Sequence, residues 1–290
     1  MAKGFKILFS FFLFCSTVSI LPLFAEKFLS GGIEYGIGHI EVDWAESKWD
    51  MPNGTALITQ LSEGWLAKTP KKLIIPPTVE YHGKSYRVTR IASCATVGLA
   101  RMLFGDEIEE IVLPETMETL EFHSLYGCRR LKKITIPASL TEIDENALPL
   151  SNIGGQSQFY TYNLEEIVVD KNNPKYQTVD GVLFDKDFRT LLIYPPLKRD
   201  KLYTIPTGVN TLSKYSFNGT KFLERLKIPE SVTSIEQSAF NATSIKYINI
   251  PASVTNLRKY DFSKNMEIQV VAGSYGETYV KENGFTYTVK

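Results

Sequence analysis

Two stretches of the chain decide its fold: residues 131–148 read LKKITIPASLTEIDENAL, and residues 223–240 read LERLKIPESVTSIEQSAF. In both, apolar and polar residues alternate before a proline, which predicts a β-strand with one buried face. A third stretch, IKYINIPASVTNLRKYDF at residues 245–262, has the same arrangement. The prolines that follow such strands lie 22 or 23 residues apart, at Pro114 and Pro137, at Pro206 and Pro229, and at Pro251. This spacing indicates a repeat protein.

The repeat predicts where the hydrophobic core lies. A unit of this size cannot bury its own apolar face, so neighbouring units must stack and share one core. The predicted repeat core consists of apolar residues at fixed distances from each proline: Ile134, Ile136, Leu140, Ile143, Leu226, Ile228, Val232, Ile235, Phe240, Ile248, Ile250, Val254, Leu257 and Phe262.

The regular spacing is interrupted between Pro137 and Pro206. A strand pattern that ends at Asp170, in place of a proline, divides this stretch into two repeats with insertions near residues 151–160 and at residues 172–196. The second insertion has two apolar runs around a polar turn, which predicts a β-hairpin.

Both ends of a repeat stack need covers for their exposed cores. Residues 26–75 lack the repeat pattern, and we interpret them as a β-rich N-terminal cap. All the tryptophans of the chain lie there: Trp44, Trp49 and Trp65. Packing within the cap is the favoured interpretation of these rings, and a carbohydrate-binding platform is the alternative. At the other end, residues 267–290 form a predicted C-terminal cap, in which Ser274 and Glu277 match a capping box that opens a short helix.

The repeat stretches quoted above closely resemble the leucine-rich repeats of the BspA-like family of bacterial surface proteins. The insertion NNPKYQTVDGVLFDKDFRTLLIYPP and the tail GSYGETYVKENGFTYTV also resemble elements of that family. The resemblance covers residues 70–290. It implies a curved leucine-rich-repeat solenoid over residues 76–266, exported to the cell surface or periplasm, that binds other macromolecules. It implies no catalytic residues.

The N-terminus predicts export. Lys3 and Lys6 precede an apolar run over residues 7–23, and the small residue Ala25 follows it, which is the order of a secretory signal peptide at residues 1–25. A retained membrane anchor is the alternative, but the run is at the short end for a membrane span. After cleavage no membrane span is expected, and the protein would be on the cell surface, secreted or periplasmic.

Charge and chemistry narrow the class of function. Lys+Arg and Asp+Glu both number 32, so no basic excess supports a nucleic-acid partner. His39, His82 and His123 are isolated from one another and from any metal-binding motif, so we expect no metal, no cofactor and no catalytic site. Cys94 and Cys128 occupy different positions of the repeat, which favours two buried thiols over a disulfide.

The outward residues of the predicted strands suggest the binding surface. The neighbouring pairs Glu109-Glu110, Lys132-Lys133 and Glu165-Glu166 are expected to form ion pairs between repeats. In the C-terminal repeats fewer of the outward charges lie next to an opposite charge. The candidate binding face there consists of Arg225, Lys227, Lys246, Tyr247 and Asn249.

We therefore predict an exported, non-enzymatic protein that mediates protein or glycan binding or adhesion at the cell surface. The alternatives are a structural or assembly component of the cell envelope and, in third place, a hydrolase. The ligand and the oligomeric state do not follow from the sequence.

Overall fold

A computed structural model describes residues 26–42, 47–61, 70–91, 107–121, 124–125, 128, 130–144, 147, 163–258 and 262–290. The described residues form 23 strands and one helix. The predictions that concern residues 1–25, the insertion at 151–160, the side chains of the three tryptophans, Cys94 and His123 lie outside the described residues.

The N-terminal part of the chain is built from short strands. Eight of them precede the repeat that contains Pro114: β1 (Glu26–Ser30), β2 (Ile33–Ile37), β3 (His39–Val42), β4 (Ser47–Asp50), β5 (Thr55–Leu61), β6 (Lys72–Ile74), β7 (Thr78–Tyr81) and β8 (Lys84–Ile91). Strands β1, β2 and β5 are antiparallel neighbours, and β5 then pairs in parallel with β8. The sheet of the N-terminal strands therefore continues directly into the repeats.

The next repeats each contribute one strand before the proline position and a shorter one after it: β9 (Glu110–Val112), β10 (Thr119–Leu120), β11 (Lys133–Ile136), β12 (Glu142–Ile143) and β13 (Glu166–Val169). The strands before the proline pair in parallel as sheet 1, in the order β13-β11-β9-β6, and the shorter strands continue from β8. Pro114 and Pro137 follow the strands β9 and β11 and limit them, because proline has no N–H to donate to the ladder, whereas β13 is followed by Asp170. The Pro137 carbonyl then accepts the N–H of Leu140, which closes the turn between the two strands.

The insertion at residues 172–196 forms three strands, one more than the predicted β-hairpin: β14 (Tyr176–Val179), β15 (Val182–Asp185) and β16 (Thr190–Ile193). The antiparallel pairs β14–β15 and β15–β16 confirm the hairpin. The buried side chains of the protein form two hydrophobic clusters, an N-terminal core and a C-terminal core. The two faces of the hairpin pack against different cores, since Leu183 belongs to the N-terminal core and Phe184 to the C-terminal core. The insertion thus joins the two halves of the repeat stack.

The C-terminal half repeats the two-strand pattern and ends in a helix and a strand: β17 (Leu202–Thr204), β18 (Thr211–Leu212), β19 (Arg225–Lys227), β20 (Ser234–Ile235), β21 (Tyr247–Ile250), β22 (Glu267–Val270), α1 (Tyr275–Glu282) and β23 (Tyr287–Val289). The longer strands form sheet 2, in the order β17-β19-β21-β22-β23, while the shorter strands β18 and β20 join the inserted strands in a second five-stranded sheet, in the order β14-β15-β16-β18-β20. Ser274 caps α1 by accepting the N–H of Glu277, as predicted. The Glu277 carboxylate accepts the N–H of Gly273, one residue before the position that a capping box uses, because the N–H of Ser274 is donated to the carbonyl of Val271.

A column of stacked rings runs through the C-terminal core. The ring centroids of Tyr194 and Phe217 are 5.2 Å apart, those of Phe217 and Phe240 are 5.7 Å apart, and those of Phe240 and Phe262 are 5.5 Å apart. The column follows the repeat because equivalent residues of successive units stack. Among the fourteen residues assigned to the repeat core, the structure buries all but Ile143, which is half-buried in β12, the last strand of its sheet.

Candidate binding face on the C-terminal sheet

The structure brings the predicted face together on two neighbouring strands. Arg225 and Lys227 flank the buried Leu226 in β19, so both side chains lie on the outward face of sheet 2. Tyr247 and Asn249 occupy the same face of β21, where Tyr247 lies in register opposite Arg225. Lys246 directly precedes β21 and is also exposed, so all five predicted residues share one region of the surface.

Arg225 and Tyr247 contact each other across the two strands. The guanidinium carbon of Arg225 lies 5.8 Å from the centroid of the Tyr247 ring, within the range of a cation–π interaction. The ring thereby orients the guanidinium, and the guanidinium covers part of one face of the ring.

Asn249 is engaged with the backbone. Its Oδ1 accepts a hydrogen bond from the N–H of Ile228 at 2.9 Å, and its Nδ2 donates to the carbonyl of Ile228 at 2.7 Å. These bonds extend the connection between β19 and β21 beyond the last paired residues, Leu226 and Ile248. The side-chain amide of Asn249 therefore holds the sheet together and is already occupied on the side that faces Ile228.

Lys246 belongs to a small ionic cluster. Glu224 accepts a hydrogen bond from Lys201 at 2.5 Å and lies 3.6 Å from the ammonium of Lys246. The hydrogen bond from Lys201 lowers the pKa of Glu224 below its usual value, and the charges of both lysines add to this effect. Lys201 was not part of the predicted face, although the repeat period places it in the same column as Glu224, 23 residues earlier.

Arg225 and Lys227 are the uncompensated cations of sheet 2. Both are exposed, and within the described part of the chain neither is within ion-pair distance of a carboxylate. The net positive charge of the face is therefore concentrated on one strand, β19.

Sheet 1 is arranged differently, because its outward charges pair with one another. The register aligns Lys72, Glu110, Lys133 and Glu166 in one column of alternating sign. Lys72 lies 2.9 Å from Glu110, and Lys133 lies 2.9 Å from Glu166.

A second set of charges on sheet 1 also pairs between repeats, with Glu109 at 2.7 Å from Lys132 and at 3.1 Å from Lys71. Hydrogen bonds from these two lysines lower the pKa of Glu109, and the bond to Glu166 raises the pKa of Lys133. These contacts are the ion pairs between repeats that the sequence predicted.

Comparison with protein families identifies the repeat. The model of the BspA type leucine rich repeat region matches six copies over residues 101–155 and 201–290, which together make up half of the chain. The chain belongs to the BspA-type leucine-rich-repeat family. Sheet 2 lies within the second matched region, so the candidate face is carried by BspA-type repeats.

Three solved structures are similar to this BspA-type protein. The pneumococcal vaccine antigen PcpA is 16% identical with a TM-score of 0.38, and the match covers 92% of this chain and 99% of PcpA. A leucine-rich repeat protein from Eubacterium ventriosum is 19% identical with a TM-score of 0.45, covering 84% of this chain and 71% of that one. A leucine-rich repeat protein from Bacteroides ovatus is 17% identical with a TM-score of 0.45, covering 86% and 62%. A search of curated proteins gives no significant match.

Three further side chains that could carry chemistry have structural positions in this BspA-type chain. His82 occupies the tip of the β7–β8 hairpin with a φ of 48°, and its ring meets the ring of Tyr81 edge-on. The Asp185 carboxylate accepts the N–H groups of Arg189 and Thr190, so it caps a turn. Cys128 is a buried thiol.

The described residues contain neither a grouped set of metal ligands nor a membrane-spanning helix. Within these residues no three His, Cys, Asp or Glu side chains are grouped so that they could hold a metal ion. The described helix is also too short and too polar to cross a membrane.

Proposed function

We propose that this BspA-type protein is exported and acts without catalysis, by binding another macromolecule at the cell surface through the outward face of sheet 2. The observation that carries the proposal is the difference between the two sheets. Sheet 1 pairs its outward charges internally, whereas sheet 2 leaves Arg225 and Lys227 without carboxylate partners among the described residues. Unpaired charges on a rigid sheet are available to steer and orient a partner.

The repeat supplies a rigid, extended support for this face. In the strand register, Lys133 lies opposite Glu110 and Arg225 lies opposite Leu202, and in both cases the two residues are 23 positions apart in the sequence. Tyr247 lies opposite Arg225, which is 22 positions earlier. These registers support units of 22 or 23 residues stacked in a solenoid. A curved solenoid would present sheet 2 as a preformed surface, so that binding requires little ordering of the protein.

Export is supported by the N-terminal pattern of two lysines, an apolar run and a small residue at Ala25. The repeats are of the BspA type, and the resemblance to that family implies a bacterial surface protein. The proposed location is therefore the cell surface or the extracellular medium.

The proposal predicts that the protein is accessible on intact cells and that its binding depends on β19. The test combines protease treatment of intact cells with binding of the purified protein to immobilised extracellular proteins, glycans and envelope fractions. A double reversal, Arg225→Glu with Lys227→Glu, should abolish binding, whereas Lys84→Glu with Lys264→Glu, the same charge change on exposed residues outside sheet 2, should not. Protection from protease on intact cells, or equal binding by both double variants, would contradict the proposal.

A further inference from the structure

The side chains on β19 and its neighbouring strands argue against a neutral sugar as the partner. A site for a neutral sugar needs an open aromatic face and free amide or hydroxyl groups. Here the guanidinium of Arg225 already lies over the Tyr247 ring, and the amide of Asn249 is hydrogen-bonded to the backbone of Ile228. The two side chains of the face that suit a sugar best are therefore used within the protein.

The groups that remain are cations with a regular spacing. Arg225 and Lys227 are two positions apart on one strand, and side chains on one face of a strand repeat every ~7 Å because each residue advances the chain by about 3.3 Å. Alternate side chains of an extended peptide have the same spacing. Carboxylates at alternate positions of such a peptide can therefore meet Arg225 and Lys227 at once.

The neighbouring strands limit where the peptide can lie. On one side, Leu202 is in register with Arg225, and 48% of its surface is exposed, so it offers an apolar contact. On the other side, Glu267 is in register with Tyr247 and is exposed, so it repels an acidic chain. The favourable surface consequently covers β17 and β19 and ends at β21.

Arg225 is suited to the role because Tyr247 holds it in place. A guanidinium binds a carboxylate through two parallel hydrogen bonds, and an oriented guanidinium loses less conformational freedom on binding. Lys227 adds a second, more adaptable charge at the next outward position of the strand.

We propose that the outward face of β17 and β19 binds an extended acidic segment of a protein partner, with carboxylates at alternate positions on Arg225 and Lys227 and an apolar side chain against Leu202. This proposal rests on the proposed function and names its partner. It excludes a neutral glycan as the principal ligand of this face.

The test uses purified protein produced from the full 290-residue chain and two synthetic peptides of equal composition. One peptide has glutamates at alternate positions separated by threonines, and the other has the same glutamates in one block. Binding is measured by titration at low and at physiological salt, with heparin and a neutral oligosaccharide as the competing ligand classes. The alternating peptide should bind at least about fivefold more tightly than the block peptide, because only its carboxylates match the strand spacing.

Two variants at the proposed residues and one control variant test whether the binding depends on those residues. Arg225→Gln with Lys227→Gln should weaken binding of the alternating peptide by about tenfold or more, while Lys264→Gln should leave it unchanged. Arg225→Lys should give an intermediate loss, since it keeps the charge but not the paired hydrogen bonds. Far-ultraviolet circular dichroism and thermal unfolding of each variant check that the fold is retained.

The remaining outcomes each overturn a defined part of the proposal. Equal affinity for the two peptides would overturn the spacing argument, and tighter binding of heparin or the oligosaccharide would overturn the choice of a protein partner. If neither peptide binds but binding to the immobilised extracellular or envelope components still depends on Arg225 and Lys227, the proposed function stands and the acidic segment is wrong. If binding to the immobilised components is also independent of these residues, both proposals fail.

Discussion

The side-chain amide of Asn249 forms two hydrogen bonds with the backbone of Ile228, accepting from its N–H at 2.9 Å and donating to its carbonyl at 2.7 Å. An amide can replace a strand residue in this way because it carries a donor and an acceptor side by side. The interaction links β19 to β21 next to the proposed binding residues. It thereby separates two roles within the predicted face, since Asn249 supports the sheet that presents Arg225 and Lys227.

Replacing Asn249 should therefore affect stability more than binding. We expect Asn249→Ala to lower the free energy of unfolding by about 1–3 kcal/mol, because the N–H and the carbonyl of Ile228 lose their partners. Urea denaturation of the purified protein measures this change. Lys227→Ala is the matched control, and it should change stability by less than about 0.5 kcal/mol because the side chain is exposed. Equal losses for the two variants would contradict the assigned roles.

Tyr35, which is buried, and Tyr176, which is half-buried, should respond in opposite ways to loss of their hydroxyl groups. Tyr35 is fully buried, its hydroxyl has no hydrogen-bond partner among the described residues, and burial raises its pKa to about 12. The hydroxyl of Tyr176 accepts the N–H of Ile143 at 3.1 Å. We expect Tyr35→Phe to raise the free energy of unfolding by about 1 kcal/mol, since a buried polar group without a partner is destabilising.

Tyr176→Phe is the control for the same chemical change. It should lower the free energy of unfolding by about 1 kcal/mol, because the N–H of Ile143 then loses its acceptor. Denaturant titrations of the two variants and of the unaltered protein provide the comparison. A destabilised Tyr35→Phe variant would show that the Tyr35 hydroxyl makes a favourable interaction in solution.

The ionic column of sheet 1 should make stability depend on acid pH. Hydrogen bonds from Lys132 and then Lys71 lower the pKa of Glu109 in the folded protein. A carboxylate with a lowered folded pKa stabilises the fold above its unfolded pKa, near 4.3, and this contribution is lost as the pH falls through the folded pKa. The unaltered protein should therefore lose stability more steeply below about pH 4 than Glu109→Gln does.

The measurement for Glu109 is a series of urea midpoints between neutral and acid pH, at low and at high salt. Glu230→Gln is a suitable control because Glu230 is exposed and does not contact the column. Its pH profile should match that of the unaltered protein. The difference for Glu109→Gln should shrink at high salt, since the ion pairs are exposed and screened. Parallel pH profiles for all three proteins would show that the column contributes nothing measurable.

The local sequence pattern was sufficient to predict the strands, the hairpin and the helix cap. Alternation before each proline located β11, β19 and β21, and the residues of the capping box located α1. Each of these features depends on neighbours within a few positions of the chain. The ion pairs between the repeats of sheet 1 were predicted, but two other contacts between repeats were not: the amide of Asn249 on the backbone of Ile228, and Lys201 on Glu224. They depend on which side chains the register brings together, and that register is fixed only once the repeats stack.

A further contact that the sequence did not predict is at Asn173, where the inserted hairpin meets the preceding repeat. Asn173 is fully buried, and its Nδ2 donates to the carbonyls of Pro137 and Leu140 at 2.7 Å and 2.8 Å. Its Oδ1 accepts the N–H groups of Lys175 and Tyr176 at 2.9 Å and 2.8 Å. One side chain therefore satisfies four backbone groups and connects two segments that are more than thirty residues apart.

Asn173→Ala should consequently be among the most damaging single substitutions in the chain. We expect the free energy of unfolding to fall by at least about 3 kcal/mol, because several buried backbone groups lose their partners together. The adjacent Asn172→Ala is the matched control, since Asn172 is exposed, and it should have an effect below about 0.5 kcal/mol. Because the hairpin joins the two cores, amide hydrogen exchange should also show faster exchange at β14 and β15 in Asn173→Ala than in Asn172→Ala. Similar stability and exchange in the two variants would mean that the hairpin is held by its apolar contacts with the two cores and that the Asn173 bonds are dispensable.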